Sequence, residues 1–171
     1  MSEVLVSTDW VAQHANDANV RVVEVDVDTT AYDQGHVPGA AGWNWTTELC
    51  DTLIRDIVPK QKLESLLGKS GIDNHTTIVL YGDNKNWFAA WAFWQLKIYG
   101  HQDVRNMNGG RKKWIAESRE LSTEKPSFPT KTYTAKAADN SLRAFLPEVQ
   151  KAVSSKSHAL VDVRSPQEFT G

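Results

Sequence analysis

The sequence predicts an α/β domain with a mostly parallel central sheet flanked by helices on both faces. Three observations predict it. Strand-like apolar runs at Val20–Val27, Thr76–Tyr81 and Asp103–Met107 alternate with segments of helical periodicity. The run "VRVVEVDV" is rich in β-branched residues and too continuous for a one-sided strand, so it reads as buried on both faces. Strands that alternate with helices pair in parallel through right-handed crossovers.

The elements follow in order. Ser7 or Thr8 is a suitable N-cap for a helix through "DWVAQHA". After the first long strand, Pro59 stands where a first helical turn tolerates proline. Leu63, Leu66 and Leu67 give that helix an apolar stripe, and Gly68 and Gly71 end it. The helix after Tyr81 carries Trp87, Trp91, Trp94 and Ile98 at four-three-four spacing, which is one face. Phe88, Ala92 and Phe93 add apolar surface on other sides, so the helix is expected to be covered on more than one side. A short strand at Asp103–Met107 and a helix from Gly109 or Gly110 through Glu117 complete the unit.

Composition changes after Glu120. The stretch "LSTEKPSFPTKTYTAKAADN" has two prolines, many Ser, Thr and Lys, and few aliphatics, and reads as an extended linker over 121–140. Asn140 or Ser141 then caps a helix through "LRAFLPEVQKAV", and Ala159–Val163 is a further strand. The organisation expected is a domain over 1–120, the linker, and the start of a second, incomplete domain over 141–171.

A chain of 171 residues with 40% hydrophobic content and seven Trp can bury a sizeable core. The net charge of -2 makes no electrostatic case for nucleic acid or membrane. The one dense basic cluster, "RKKW" at Arg111–Trp114, reads as a solvated helix face. The N-terminus lacks the cationic start and apolar run of a secretory signal. The richest apolar stretch, Trp87–Leu96, is too short to span a bilayer and contains Gln95. A single cysteine, Cys50, allows no intrachain disulfide. Together these lead to the expectation of a soluble, cytoplasmic protein.

A repeat is cut in half. "VEVDVDTTAYDQG" (Val23–Gly35) aligns without gaps with "ALVDVRSPQEFTG" (Ala159–Gly171), Asp162 lying 136 residues beyond Asp26. A lone strand and helix cannot bury their apolar faces. The 171 residues therefore read as a fragment or as one piece of a nicked chain.

Two signatures carry a family resemblance. One is "VDVDTTAYDQGHVPGA" (Val25–Ala40); the other is "VRNMNGGRKKW" (Val104–Trp114), an apolar strand, two glycines and a Trp four residues on. On these the chain resembles the rhodanese family, specifically its tandem two-domain bacterial thiosulfate sulfurtransferases. "LVDVRSPQEFTG" is closer still to the usual form, with Arg164 and Glu168 in the family's positions.

The motif residues have physical readings of their own. Asp26 at a strand end can accept N–H bonds from the returning "GHVPGA" loop; Gly35 and Gly39 permit positive φ, and Pro38 stiffens the turn. His36 reads as an imidazole bonded to loop backbone, part of the scaffold. Gly109 and Gly110 let the strand turn sharply, with Trp114 as a core plug.

The resemblance implies sulfur transfer through a cysteine persulfide, with thiosulfate as donor, cyanide or another thiophile as acceptor, and no cofactor. The nucleophile would sit in a strand–helix loop whose N–H groups and helix dipole stabilise a thiolate. Here that loop is "YGDNKNW", Tyr81–Trp87. The alignment puts Tyr81 or Gly82 at the nucleophile's position, or Asp83 with a one-residue indel, and none can carry sulfur. Asp83 would repel a dianion, with Lys85 as one compensating charge. Cys50, between Glu48 and Asp51, has acidic neighbours that raise a thiol pKa. The five His residues show no metal-ligand spacing.

The expectation is that this chain is the non-catalytic N-terminal part of such an enzyme, inactive alone, with its nucleophile beyond Gly171 and the remaining C-terminal domain as covalent or nicked partner. The resemblance also places Arg143, in "DNSLRAFLPEV", against the anionic donor. A surface Arg143 paired with Asp139 or Glu148 stays open beside that role. The competing class is an inactive rhodanese-like binding module.

Overall fold

The computed structural model describes residues 4–54 and 56–171. Ser7 accepts the Trp10 amide at 3.0 Å and so caps α1 (Thr8–His14), which follows the short strand β1 (Leu5–Val6). The β-branched run folds as β2 (Val20–Asp26), followed by α2 (Thr30–Gln34), β3 (Ala41–Asn44) and α3 (Trp45–Glu48). Pro59 sits at the N-cap of α4 (Lys60–Lys69), and Leu63 and Leu67 are buried. Then come β4 (Thr77–Tyr81), a 3-10 turn (Asn84–Asn86), α5 (Trp87–Ile98), β5 (Val104–Met107) and α6 (Gly110–Ala116).

The five strands form one all-parallel sheet in the order β1-β5-β4-β2-β3. Both of its faces are covered, as the continuous apolar runs require. Val23, Val25, Ile78 and Leu80 point into a core with Leu63, Leu67, Ala92 and Leu96. The alternate residues Val22, Val79 and Tyr81 join Val11, Val37, Met107 and Trp114 on the opposite face.

The aromatic helix is turned differently from its predicted face. Ala89, Ala92, Gln95, Leu96 and Ile98 are buried, whereas Trp87 is 67% exposed and Trp91 and Trp94 are half-buried. Close packing on the sheet suits alanine, and the indoles are displaced to the flank. There Trp91 meets Trp45 edge-on at 5.6 Å and Trp94 at 5.1 Å.

The stretch after Glu120 carries no helix, yet residues 122–136 are tied down along their length. Ser122 and His36 exchange backbone bonds of 2.9 and 2.8 Å. Lys131 donates to the Gly68 carbonyl, Ala135 to Glu64 Oε1 and Lys136 to the Tyr99 carbonyl. Tyr133 and Ala135 are buried. Backbone donors and acceptors satisfied in this way make a fixed strap out of a polar, proline-containing stretch.

The chain forms two compact units that divide between Ala138 and Asp139. The second holds a 3-10 turn (Asn140–Leu142), α7 (Leu146–Ser155) and α8 (Pro166–Thr170). The predicted helix starts late, because a start at Asn140 would bury Pro147 in the helix interior; beginning at Leu146 leaves it in the first turn. The expected strand Ala159–Val163 has no ladder, and Val161 and Val163 are exposed. A strand is defined by its partner, and this unit offers none. α8 lies 136 residues beyond α2 at both of its ends.

Candidate functional site

The corner between β4 and α5 lies at the C-terminal edge of the parallel sheet, where ligands bind in open α/β folds. Three successive residues there, Asn84, Lys85 and Asn86, adopt φ of 48°, 58° and 65°. Asparagine tolerates the left-handed region; lysine pays about 1 kcal/mol for it. The conformation persists because the loop is fastened at both ends. Asn86 Oδ1 accepts the Gly82 N–H at 3.0 Å, and Asn86 Nδ2 donates to the Met107 carbonyl at 2.8 Å. Arg111 N–H donates to the Gly82 carbonyl, and Asp26 Oδ1 accepts the Asp83 N–H at 2.8 Å.

That last bond corrects the sequence reading of Asp26, which was expected to hold the "GHVPGA" loop. Glu24 pairs in register with Tyr81 across β2 and β4, so Asp26, two residues on, meets Asp83. The "GHVPGA" loop is held by other groups. The Val37 N–H donates to the Tyr81 hydroxyl at 3.0 Å, and the Arg111 guanidinium donates to the Gly35 carbonyl. His36 is fully buried, as a scaffold residue should be, with Nδ1 2.8 Å from the Tyr32 carbonyl and Nε2 3.0 Å from that of Glu124.

Beneath the loop lies a buried polar cluster. Arg111 Nη1 stands 2.6 Å from Glu24 Oε1, their side chains 8% and 1% exposed, and Nη2 also donates to the Ala31 carbonyl at 2.8 Å. The Tyr81 hydroxyl donates to Glu24 Oε2. Arg111 is therefore no part of a solvated basic face, which corrects the reading of "RKKW". Arg111 and Trp114 are three residues apart on one helix face, so the expected burial of Trp114 was the signal that could have placed Arg111 inside.

Burial dominates the electrostatics. It pushes the Asp26 carboxyl up to about 7, the negative charges of Glu24 and Asp83 adding to the push and the Asp83 N–H opposing it. Burial also raises Glu24, against the Tyr81 hydroxyl and the Arg111 guanidinium. Tyr81 is held well above its ordinary value, chiefly by burial, and so serves as a neutral donor.

Gly82, one of the positions aligned with the nucleophile, is closed from within. A Cβ on Gly82 would lie 2.4 Å from the Val25 carbonyl oxygen and 3.0 Å from Asp26 Oδ1. On Gly110 it would lie 2.2 Å from Asn86 Oδ1. A cavity of about 920 Å³ borders the loop, with Asp83, Lys85, Asn106, Asn108 and Lys112 in its wall. It presents amides, ammonium groups and the Asp83 carboxylate, and no thiol.

Cys50 is buried and bridges Ile57, and burial raises its thiol. That leaves it a poor thiolate. Arg143 follows the 3-10 turn in the second unit, its guanidinium carbon 4.6 Å from the Phe145 ring centre. Asp139 Oδ1 accepts the Ser141 N–H, and Glu148 Oε2 accepts that of Phe145. Among the described residues no group of three or more His, Cys, Asp or Glu side chains is gathered as a metal site requires, and no helix is long and apolar enough to cross a membrane.

Known proteins match this chain. The rhodanese-like domain model matches residues 7–117. A Haloferax volcanii protein named "Putative thiosulfate sulfurtransferase" is 51% identical over 174 residues, covering 99% of this chain and 60% of the relative. The "Sulfur carrier protein TtuD" of Thermus thermophilus is 50% identical over 172 residues, with the same shares covered. Among solved structures, the 3-mercaptopyruvate sulfotransferase SseA of Escherichia coli superposes with a TM-score of 0.85 at 19% identity, covering 98% of this chain and 68% of that one. At that identity the likeness is one of fold. The chain spans about 60% of the length of these curated relatives. Its matched segment, its parallel sheet and its identity to these relatives together establish that the chain belongs to the rhodanese-like domain family.

Proposed function

We propose that this chain is the non-catalytic N-terminal part of a thiosulfate sulfurtransferase. Its own strand–helix loop is sealed, and the persulfide-forming cysteine is carried by a second rhodanese domain beyond Gly171. The observation that carries this reading is Gly82, at a position aligned with the nucleophile, whose missing Cβ is the space that the Val25 carbonyl occupies. A loop packed in this way is a scaffold element. The relatives support the rest: about half of the residues are identical over the matched stretch, and that stretch is about 60% of each relative's length.

In the complete protein, thiosulfate would give its outer sulfur to the cysteine thiolate of the second domain and release sulfite. Cyanide or another thiophile would then remove that sulfur and regenerate the thiolate. We assign Arg143 to the anionic donor, since a planar guanidinium suits a bidentate oxyanion.

The test is thiocyanate formation from thiosulfate and cyanide. The 171-residue chain alone is expected to be inert, and the chain extended by a second rhodanese domain active. Arg143→Ala in that longer protein is expected to raise the thiosulfate KM, and Cys50→Ser to change nothing. Turnover by the 171 residues alone, or loss of activity with Cys50→Ser, would overturn the proposal. A longer protein that stays inert would favour an inactive binding module.

A further inference from the structure

The carboxyls beneath the loop have no part in the proposed transfer, and their charges do not balance. Glu24 and Asp26 stand two residues apart on β2, so their side chains leave the same face of the sheet. Each carboxyl perturbs the other's hold on a proton. Asp83 faces Asp26 from the loop, Tyr81 faces Glu24 from β4, and Arg111 faces Glu24 and Asp83 from α6. One guanidinium thus meets two of three acidic groups and leaves Asp26 without a cation of its own.

Asp26 is 4% exposed. Its Oδ1 takes the Asp83 N–H, and its Oδ2 is enclosed with no donor among the described residues. An ionised carboxylate in such a place leaves most of its acceptor capacity unfilled, which is costly. A carboxylic acid there has an O–H to donate, and Glu24 is an acceptor at hand. Burial pushes the Glu24 carboxyl up as well, but the Arg111 guanidinium and the Tyr81 hydroxyl both favour its ionised form. The proton therefore settles on Asp26.

We propose that Asp26 keeps its proton in the folded domain and shares it with Glu24, which makes the seat of the Gly82–Asn86 loop a proton-operated latch. With the proton in place, Asp26 Oδ1 holds the Asp83 N–H and the loop lies flat on the end of β2. Without it, Oδ2 carries charge beside Glu24 and Asp83 and needs water. Water reaches that atom when Gly82 lifts from the Val25 carbonyl against which it packs and Asp83 lifts from Asp26. The upward push on the Asp26 carboxyl, to about 7, puts this change near neutral pH. The latch belongs to the loop itself and stands whether or not a second domain carries the sulfur chemistry.

The test is NMR on the 171-residue chain with carbon-13 in the aspartate carboxyls, titrated from about pH 4 to about pH 9. The expected result is one aspartate moving with a midpoint near 7, assigned to residue 26 by through-bond correlation and absent from Asp26→Asn. Amide protection of Gly82 and Asp83, corrected for base-catalysed exchange, is expected to fall by up to roughly tenfold per pH unit between the ordinary carboxylate range and that midpoint, and to level off above it. The amides of β4 are expected to hold. If Asp26→Asn does not fold, the wild-type titration decides alone. An Asp26 carboxyl titrating in the ordinary carboxylate range overturns the proposal. So does loop protection that stays constant while Asp26 titrates.

Discussion

Gly82→Ala is expected to cost the domain about 2–4 kcal/mol, most of it from steric conflict with the interior strand β2. The added Cβ would stand 2.4 Å from the Val25 carbonyl oxygen, 3.3 Å from its carbon and 3.0 Å from Asp26 Oδ1. An ordinary carbon–oxygen contact starts at about 3.3 Å, so some 0.9 Å of movement is needed. Val25 cannot supply it, because β2 is paired on both sides, with β4 and β3. The loop must lift instead, which loosens the Gly82 N–H bond to Asn86, the Asp83 N–H bond to Asp26 and the Arg111 N–H bond to the Gly82 carbonyl. Overpacking costs about 1–3 kcal/mol, and each weakened bond up to about 1 kcal/mol. The smaller unfolded-state entropy of alanine returns about 0.4–1 kcal/mol. For a chain of this size the net corresponds to a Tm lower by about 6–12 °C. Urea unfolding followed by tryptophan fluorescence measures it, and a loss below about 0.5 kcal/mol would refute the steric argument. Gly82→Cys extends the test to chemistry. It is expected to lose similar stability and to take up no sulfur from thiosulfate by intact mass. A stable Gly82→Cys variant that forms a persulfide would show the loop to be open.

Arg111→Ala leaves Glu24 buried without its cation and is expected to cost about 3–5 kcal/mol in urea unfolding, with partial recovery when Glu24→Gln is added. A loss under about 1 kcal/mol would mean that the pair is hydrated. Asp73 is held down to about 2, first by its bond to Lys131, with the His75 N–H and Thr76 hydroxyl contributing. Its folded value lies below its unfolded one, so its contribution is present above about pH 4 and lost as pH falls through about 2. Wild type and Asp73→Asn are therefore expected to differ in Tm at pH 6 and to converge near pH 2; a constant gap would remove Asp73 from the acid response. Asp26 runs with the opposite sign. Its raised value gives stability that is complete below its unfolded range and lost as pH rises through about 7, so Asp26→Asn is expected to flatten the stability profile between about pH 5 and pH 8.

Much of the frame could be read from local pattern. Continuous β-branched runs located β2 and β4, the Ser7 cap located α1, and two glycines before Arg111 located the turn into α6. These signals are local because a strand or helix repeats its burial every two or three to four residues. The two-residue strand β1 lies below that threshold, and the four residues of β3, "AGWN", include no β-branched side chain to mark them. The Ala159–Val163 run had the composition of a strand and formed none, because a ladder needs a neighbour as well as a propensity.

The candidate site divides in the same way. The sequence alone determined that the loop Tyr81–Trp87 has no nucleophile, because residue identity settles which atoms are present. Only packing decided that Gly82 has no room for a side chain, that Asp26 holds Asp83, and that Arg111 is buried beside Glu24. Those facts depend on which strands lie side by side. Strand order puts the end of β2 against the end of β4, and α6 above both, joining residues that stand 57 and 87 positions apart in the chain. Neighbours at that separation share no local period, so their meeting is a property of the packed sheet.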